Sequence, residues 1–306
     1  MYSEEELLKF SILNTYEKYI NPNLIYKIFY KSLETNINLF KLSSKDLKFF
    51  LEENYILNEI QKNKVLELFK KEAISELNYK VEKIYKDVQK YKINLIFFND
   101  NKYPFRLKKI KRAPYVLYTK GNFNLENYKK IAIVGTRKIS ENSKNFIKKL
   151  SPFLKKEQYF NISGLALGVD TLGHIETLGQ TGAILAQGLA TDIYPSENIK
   201  LAELILENNG FLLSELPPKT NISVNNFIRR NRIQSGLSDF IFIVETDIKG
   251  GTVHTFKYAR EQQKKIFVAD FNKNFIEKYK KDLIIVKDID DFKENLKNSF
   301  KQKTLF

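Results

Sequence analysis

Glycine is distributed very unevenly along this chain of 306 residues. All twelve glycines lie between Gly121 and Gly251, and the first 120 residues contain none. Tight turns and close backbone contacts are where glycine is needed most, so a long stretch without it favours continuous helices. Glycines that recur after short apolar runs favour strands that end in tight loops. The sequence therefore predicts an all-helical region followed by a region of alternating strands and helices.

Helix signals are present throughout the glycine-free region. Asn21 followed by Pro22 is typical of an N-cap with proline at the first helical position, and the segment Ser43 to Asp46 has the form of a capping box. Apolar residues at spacings of three and four predict one longer helix through residues 65–88. We therefore expect residues 1–88 to form a small all-α N-terminal domain.

From residue 93 onwards, short apolar runs alternate with helical segments. The candidate strands are residues 93–98, 131–134, 160–163, 183–186, 211–214, 240–245 and 265–269, and the candidate helices are residues 143–156, 170–178, 200–207 and 253–263. Such alternation predicts an α/β domain over residues 89–290, with a doubly wound, mostly parallel sheet covered on both faces. Residues 291–306 are predicted to be a charged C-terminal tail, and residues 287–306 to form a helix with a frayed end.

The charge of the chain indicates a polyanionic partner. The net charge is +15 and the pI about 9.5, as in many proteins that bind nucleic acids. Lysine, asparagine and isoleucine are all abundant, which an AT-rich genome would also produce. Arginine placement is the sharper signal, because Arg229, Arg230 and Arg232 are three of only seven arginines.

Composition also excludes several classes of protein. The chain has no cysteine, which rules out disulfides, thiolate chemistry and zinc–sulfur sites. No apolar run approaches the ~18 residues that a membrane span needs. The first residues are acidic, whereas a signal peptide begins with basic ones. We expect a cytoplasmic protein without a membrane partner.

Three glycine loops follow predicted strands. In a parallel sheet they would meet at one edge, where backbone N–H groups and helix N-termini bind anions. The spacing matches neither the G-x-G-x-x-G dinucleotide fingerprint nor a P-loop, which disfavours nicotinamide and Walker-type nucleotide sites. The predicted phosphate-binding residues are Gly135, Thr136, Arg137, Lys138, Ser163, Gly164, Leu165, Ala166, Gly168, Gly250, Gly251 and Thr252.

A run of arginines, amides and one aromatic ring forms a second candidate site. Its members are Phe227, Arg229, Arg230, Asn231 and Arg232. Guanidinium groups bind phosphates, and an aromatic ring can stack on a base, so this mixture suits a single-stranded nucleic acid. The alternatives are a solvated helix face, or an arginine buried against Glu215 or Glu245 as a structural ion pair.

No catalytic or metal site is predicted. His174 and His254 lack metal-ligand spacing, and His174 is expected to be a structural helix residue. Asp170, Glu215 and Glu245 lie near predicted strand ends or helix starts, where acids more often cap helices or orient arginines than transfer protons.

Several short motifs occur in a fixed order between residues 93 and 270. They are Pro114 to Tyr118, Gly135-Thr136-Arg137, Ser163-Gly164-Leu165-Ala166, Gly168-Val169-Asp170, Ile193-Tyr194-Pro195, Leu213 to Pro218, Phe227 to Ile233 and Gly236-Leu237-Ser238-Asp239. In this order and spacing the chain closely resembles the bacterial DNA-processing protein A family, also called Smf.

The resemblance implies an extended Rossmann-like domain that binds single-stranded DNA. It implies a homodimer that protects incoming strands during natural transformation and helps load a RecA-type strand-exchange recombinase, with no cofactor. Arg137 matches the family's phosphate-binding arginine, Lys200 matches a basic DNA contact, and residues 229–232 match its Arg-Arg-Asn-Arg signature. Residues 1–88 occupy the position of the family's SAM-like domain.

The loop after residue 245 departs from the family pattern. Many members have a Ser-Gly-Ser run there, whereas this chain has Lys249-Gly250-Gly251-Thr252, which is similar to the loop of lysine-decarboxylase-like phosphoribohydrolases. The alternative function is therefore cleavage of a nucleotide N-glycosidic bond, with Arg137 holding the phosphate and Glu245 or Asp170 assisting. A nucleotide sensor of the same fold is a third possibility.

Overall fold

The protein was analysed as a computed structural model that describes residues 2–16, 19–55 and 57–301. Five helices come first: α1 (Glu4–Leu13), α2 (Pro22–Glu34), α3 (Ser44–Asn54), α4 (Glu59–Leu68) and α5 (Lys71–Lys90). The Asn21 side chain caps α2 and Pro22 occupies its first turn. The Ser43 side chain caps α3 by accepting from the backbone N–H of Asp46. The prediction of a helical N-terminal region is confirmed.

The prediction of one continuous helix through residues 65–88 is wrong. Helix α4 ends at Leu68 and α5 begins at Lys71. The N–H of Phe69 donates to the carbonyl of Leu66, three residues back, so the last turn tightens and the helix ends. The ring of Phe69 packs against Phe40, with the ring centroids 5.1 Å apart. Apolar spacing continues across this break, which is why periodicity does not reveal it.

The remaining chain builds one nine-stranded sheet. The strands are β1 (Asn94–Phe97), β2 (Val116–Gly121), β3 (Lys129–Gly135), β4 (Tyr159–Ser163), β5 (Thr181–Ile184), β6 (Phe211–Ser214), β7 (Phe240–Glu245), β8 (Lys265–Ala269) and β9 (Ile284–Val286). Their order is β1-β2-β6-β5-β4-β3-β7-β8-β9. Strands β1 and β2 are antiparallel to their neighbours, and the rest are parallel. The predicted fold class is confirmed, and β2 and β9 are the two strands that the apolar runs did not indicate.

Eight helices lie between and after the strands. They are α6 (Phe105–Lys108), α7 (Glu141–Lys156), α8 (Val169–Glu176), α9 (Ile199–Glu207), α10 (Val224–Leu237), α11 (Thr252–Glu261), α12 (Lys273–Tyr279) and α13 (Ile289–Lys301). Phe292 of α13 is fully buried against the ring of Phe242, 5.2 Å between centroids. The predicted C-terminal helix is confirmed for residues 289–301, and the predicted frayed end at 302–306 lies outside the described residues.

The strand order reverses next to β3. From β3 the chain adds β4, β5 and β6 on one side, and then crosses to β7, β8 and β9 on the other. The parallel neighbours β3 and β7 shift register between Val134 and Gly135. A crevice opens at the carboxyl ends of strands where the winding direction changes, and ligands of such sheets bind there.

The helical region and the sheet share one hydrophobic core. Tyr115, which precedes β2, is fully buried, and its ring stacks on Tyr26 with centroids 4.7 Å apart. The ring of Phe29 meets it edge-on at 4.7 Å, and Phe10 stacks on it at 5.3 Å. Apolar packing is thus continuous from α1 and α2 into the sheet. The domain boundary between residues 88 and 89 stays a prediction.

A buried ionic cluster reinforces this junction. The guanidinium of Arg232, 1% exposed, donates to both carboxylate oxygens of Glu215 at 2.6 Å. It also donates to the hydroxyl of Tyr26 at 3.2 Å. Arg229 lies 3.6 Å from the same carboxylate and donates to the carbonyl of Asn14. Burial alone would raise the pKa of Glu215, but the two arginines outweigh burial and lower it to about 2.

We expect Glu215→Gln to lower the free energy of unfolding at pH 7 by about 3–5 kcal/mol, because it leaves Arg232 buried without its counter-charge. The folded-state pKa of Glu215 lies below its ordinary value of 4.5, so the pair stabilises the fold above that pH and the contribution is lost as the pH falls towards about 2. Urea unfolding at pH 7 and pH 3 checks both statements. Glu197→Gln, at an exposed site, is the control, and equal curves for the two variants would contradict the prediction.

Candidate functional site

A cavity of about 320 Å³ lies at the reversal point of the sheet, and we name it the switch-point pocket. Three loops line it: residues 134–137 after β3, residues 166 and 170 after β4, and residues 246–255 after β7. Helix α10 forms the remaining wall through Phe227, Arg230, Asn231 and Gln234. The three predicted glycine loops therefore meet at one edge of the sheet, together with part of the arginine run.

The loop after β3 is held by backbone contacts. The N–H of Thr136 donates to the carbonyl of Glu245 at 2.7 Å, and the carbonyl of Thr136 accepts from Val169 at 3.1 Å. The N–H of Ser140 donates to the carboxylate of Glu245 at 2.9 Å. These contacts fix both ends of the loop, while the side chain of Arg137 is exposed. The loop therefore holds the backbone of Arg137 in place while its guanidinium faces solvent.

The loop after β4 folds around the carboxylate of Asp170. The Asp170 side chain accepts from the N–H of Gly164 at 3.0 Å and of Ala166 at 3.5 Å. Burial raises the pKa of Asp170 above its ordinary value, and Arg230 and the backbone donors offset that effect only in part. Gly168 has φ +79°, and a Cβ there would lie 2.3 Å from the carbonyl oxygen of Thr136. A glycine is therefore needed where the two loops touch.

Arg230 is a buried cation in the wall of the pocket. It is 6% exposed, and its guanidinium donates to the carbonyl of Ile184 at 2.9 Å. Its Nε has no hydrogen-bond partner among the described residues. Burial lowers the pKa of Arg230 to about 10, Asp170 opposes this shift and Arg137 adds to it. At neutral pH the group stays charged, and its Nε is a buried donor that the described residues leave without a partner.

An aromatic surface borders the pocket. The guanidinium of Arg137 lies 5.9 Å from the ring centroid of Phe227. The ring of Tyr194 lies 5.7 Å from the same ring and is 43% exposed. Tyr194 was not among the predicted site residues, although it belongs to a quoted motif. More than thirty positions separate Tyr194 from Phe227 in the sequence, and only the fold brings the two rings together, so the sequence does not reveal this contact.

The third loop brings the start of α11 to the pocket. Gly250, Gly251 and Thr252 all line it, and Gly251 is the N-cap of α11 without a side-chain cap bond. The N-terminal end of a helix carries partial positive charge, which favours an anion. In α11 the N–H groups of Val253 and His254 already donate to the carbonyls of Gly250 and Gly251, each at 3.1 Å. Asp247 also lines the pocket, and its carboxylate accepts from the N–H of Ile248 at 2.6 Å. The loop therefore combines partial positive charge with one acidic side chain.

The other predicted site residues lie outside the lining of the pocket. Arg229 and Arg232 belong to the buried cluster with Glu215. Lys200, at the second position of α9, and Lys138 are both exposed. Ser163, Gly164, Leu165 and Gly168 form the buried or half-buried loop beneath the pocket.

His174 has a structural partner outside the pocket. His174 is fully buried, its Nδ1 lies 2.7 Å from the hydroxyl of Thr181, and burial lowers its pKa to about 3. The described part of the chain contains no cluster of three or more His, Cys, Asp or Glu side chains that could hold a metal. Within residues 2–16, 19–55 and 57–301, no helix has the length and apolarity required to cross a membrane.

Sequence comparison places the chain among DNA processing proteins. The model of the family described as DNA recombination-mediator protein A matches residues 94–285. The DNA processing protein DprA of Bacillus subtilis is 33% identical over 216 residues, which cover 69% of this chain and 72% of that protein. The protein Smf of Borreliella burgdorferi is 32% identical over 240 residues, which cover 77% of this chain and 71% of that protein.

Two solved structures resemble this one. DNA processing protein A from Helicobacter pylori, described for its single-stranded DNA binding mode, superposes with a TM-score of 0.62 at 28% identity, covering 68% of this chain and 96% of that chain. DNA processing protein A from Streptococcus pneumoniae superposes with a TM-score of 0.71 at 23% identity, covering 95% of this chain and 96% of that chain. The second likeness concerns the fold alone.

We expect Gly164→Ala to disturb the pocket through Arg230. A Cβ at residue 164 would lie 1.7 Å from a terminal nitrogen of Arg230 and 2.4 Å from its Cζ. The buried guanidinium must move, and overpacking of this kind costs about 1–3 kcal/mol of unfolding free energy. Gly251→Ala is the matched control, because nothing lies within 4 Å of its added Cβ. Urea unfolding checks the difference, and equal effects at both glycines would refute the close contact.

Proposed function

The chain belongs to the DNA recombination-mediator protein A family, and from that premise we propose that it binds single-stranded DNA at the switch-point pocket. We further propose that it protects incoming strands and helps load a RecA-type recombinase during natural transformation, as a cytoplasmic homodimer. The observation that carries the proposal is the pairing of an exposed Arg137 with a buried, charged Arg230 at one pocket.

The two arginines suit a phosphodiester. Arg137 is exposed on a loop whose ends are fixed by hydrogen bonds, so it can meet a strand arriving from solvent. Arg230 adds a second positive charge in the wall of the pocket, and its buried Nε has no partner among the described residues. Charge-assisted hydrogen bonds to phosphate are about twice as strong as neutral ones, and the start of α11 adds partial positive charge. Together these groups support a phosphate site.

The aromatic surface favours a nucleic acid strand over a free phosphate. The ring of Phe227 lies 5.9 Å from the guanidinium of Arg137, and the ring of Tyr194 lies 5.7 Å from that of Phe227. Bases stack on such rings without sequence preference, because every base has a π-face. A duplex keeps its bases stacked on each other, so this surface suits a single strand. We propose that the bases next to the bound phosphate stack on the rings of Phe227 and Tyr194.

The arginine run divides between binding and structure in this proposal. Arg229 and Arg232 are buried against Glu215, and Arg232 has donors bonded to Glu215, Tyr26 and Arg112. Arg230 is the member that lines the pocket. We therefore assign DNA contact to Arg230 and a structural role to its two neighbours.

Cleavage of an N-glycosidic bond would require an acidic side chain, and the two candidates, Glu245 and Asp170, hold loops in place through hydrogen bonds. Glu245 accepts from the N–H of Ser140, and Asp170 accepts from Gly164 and Ala166. In both cases the carboxylate holds a loop in place, and this structural role supports binding without turnover, in preference to the phosphoribohydrolase alternative.

We expect Arg137→Ala to weaken binding of a labelled single strand by about tenfold or more, since a hydrogen bond to a charged group contributes about 1.5–3 kcal/mol. It should also lower the slope of log affinity against log salt by about 0.7. Fluorescence anisotropy across a salt series measures both. Arg260→Ala removes an exposed arginine paired with Asp282 and is the control.

Two outcomes of this experiment would contradict the proposal. One is equal binding by both variants at matched salt, with normal melting curves. The other is stronger competition by a mononucleotide than by an unlabelled single strand, which would favour a nucleotide enzyme or sensor. Preference for the single strand over its duplex supports the proposal.

We expect Phe227→Leu to weaken single-strand binding by about 1–3 kcal/mol, which is the stacking contribution of one base on an aromatic ring. The salt slope should stay unchanged, because no charge is lost. Phe105→Leu alters a ring that is 68% exposed and outside the pocket, and it serves as the control. A changed salt slope for Phe227→Leu, or an equal loss for Phe105→Leu, would argue against base stacking at this ring.

A further inference from the structure

A second basic cavity, which we name the α5 groove, lies between the helical region and the loop after β6. Its volume is about 600 Å³. Helix α5 contributes Lys80, Lys83 and Lys86 to its lining, and the loop after β6 contributes Lys219 together with two prolines. Tyr16, from the segment after α1, also lines it. No function proposed above uses this surface.

The groove has an excess of positive charge. Four lysines line it, against one acidic side chain, Asp87. Lys219 pairs with Asp87 at 2.6 Å, and Lys80 pairs with Glu76 at 2.5 Å and donates to the hydroxyl of Tyr16. Lys83 and Lys86 are exposed and form no ion pair with another described residue, although the ammonium of Lys83 lies 4.4 Å from the ring centroid of Tyr79. Two cations without an acidic partner therefore remain, next to two that are partly neutralised.

A chain of contacts connects the switch-point pocket to the groove. Arg137 lies over Phe227, and Phe227 lies beside Tyr194, in the connection between β5 and α9. That connection bonds to the loop after β6: the N–H of Gly188 donates to the carbonyl of Thr220 and the N–H of Ala190 to that of Pro218, each at 2.8 Å. Thr220 and Pro218 line the groove.

Sheet geometry puts the two sites at the same edge. The pocket opens at the carboxyl end of β3, and the loop after β6 leaves the carboxyl end of a strand three positions away in the parallel part of the sheet. Neighbouring strands are about 4.8 Å apart, so strands β3 and β6 lie about 14 Å apart. A flexible polyanion longer than a few nucleotides can therefore span both sites.

We propose that the α5 groove is a second contact site for the phosphates of the same single-stranded nucleic acid, so that the helical region extends the strand's path away from the pocket. This inference rests on the proposed function. Charge complementarity supports it, and so does the exposed aromatic surface between the two sites, which suits unpaired bases. Lys83 and Lys86 supply the two cations without an acidic partner, and Tyr16 supplies a ring at the groove.

The test compares strand lengths in a variant that lacks these two cations, Lys83→Ala/Lys86→Ala. Anisotropy is measured with a strand of about twenty nucleotides, longer than most single-strand sites, and a tetranucleotide is measured as a competitor. Lys48→Ala/Lys64→Ala removes the same charge from exposed positions of α3 and α4 outside the groove, and is the control.

We expect the groove variant to bind the long strand about tenfold or more weakly at about 0.1 M salt, with a salt slope lower by about 1.4, since each lost phosphate contact lowers it by about 0.7. Competition by the tetranucleotide should not change, and the control should match the unaltered protein. No loss for the long strand, an equal loss for the tetranucleotide, or an equal loss in the control would each overturn the proposal.

The same measurements separate this inference from the proposed function. If the unaltered protein binds neither strand, or if Arg137→Ala binds them as tightly as the unaltered protein does, the proposed function fails. If Arg137-dependent binding is intact while the groove variant behaves as the control does, only the groove proposal fails. A greater loss toward a duplex than toward the single strand would also overturn it, in favour of a double-stranded ligand.

Discussion

The contact between Arg232 and Glu215 constrains most of what surrounds it. The pair is buried and bidentate, and it also reaches Tyr26 of α2, so it joins α10, the end of β6 and the helical region. Residues three apart on a helix share a face, which directs Arg229 and Arg232 to the same carboxylate. Arg230 lies about 100° away around the helix. Its presence in the pocket is thus a geometric consequence of burying its neighbours.

Much of the fold was predictable from the sequence, because its causes are local. Strands buried on both faces require continuous apolar runs, and loops that approach another backbone require glycine, as Gly168 does against Thr136. An ion pair between one of these arginines and Glu215 or Glu245 was one of the alternatives, but which arginines form it was not predictable, since Glu215 is brought to Arg229 and Arg232 only by the sheet. The place of Tyr194 in the site and the break between α4 and α5 were missed for the same kind of reason. Each depends on a contact between residues distant in sequence, Tyr194 with Phe227 and Phe69 with Phe40.

In the switch-point pocket, the groups that hold the loops together are different from the groups that are available to bind a ligand. Carboxylates and backbone carbonyls near it, including those of Glu245, Asp170 and Thr136, are already engaged in hydrogen bonds between loops. The cations are less fully satisfied: Arg137 is exposed, and Arg230 keeps one donor without a partner. A site in which acceptors are used internally and donors are left over is selective for an acceptor-rich ligand, and a phosphate is such a ligand.

The aromatic packing around Tyr115 has a consequence for cooperativity. Its ring contacts Tyr26, Phe29 and Phe10, so removing the helices would open a large apolar surface beside β2. Elements that share buried contacts lose their stability together, whereas elements joined by a linker melt separately. The helices and the sheet should therefore denature in a single transition.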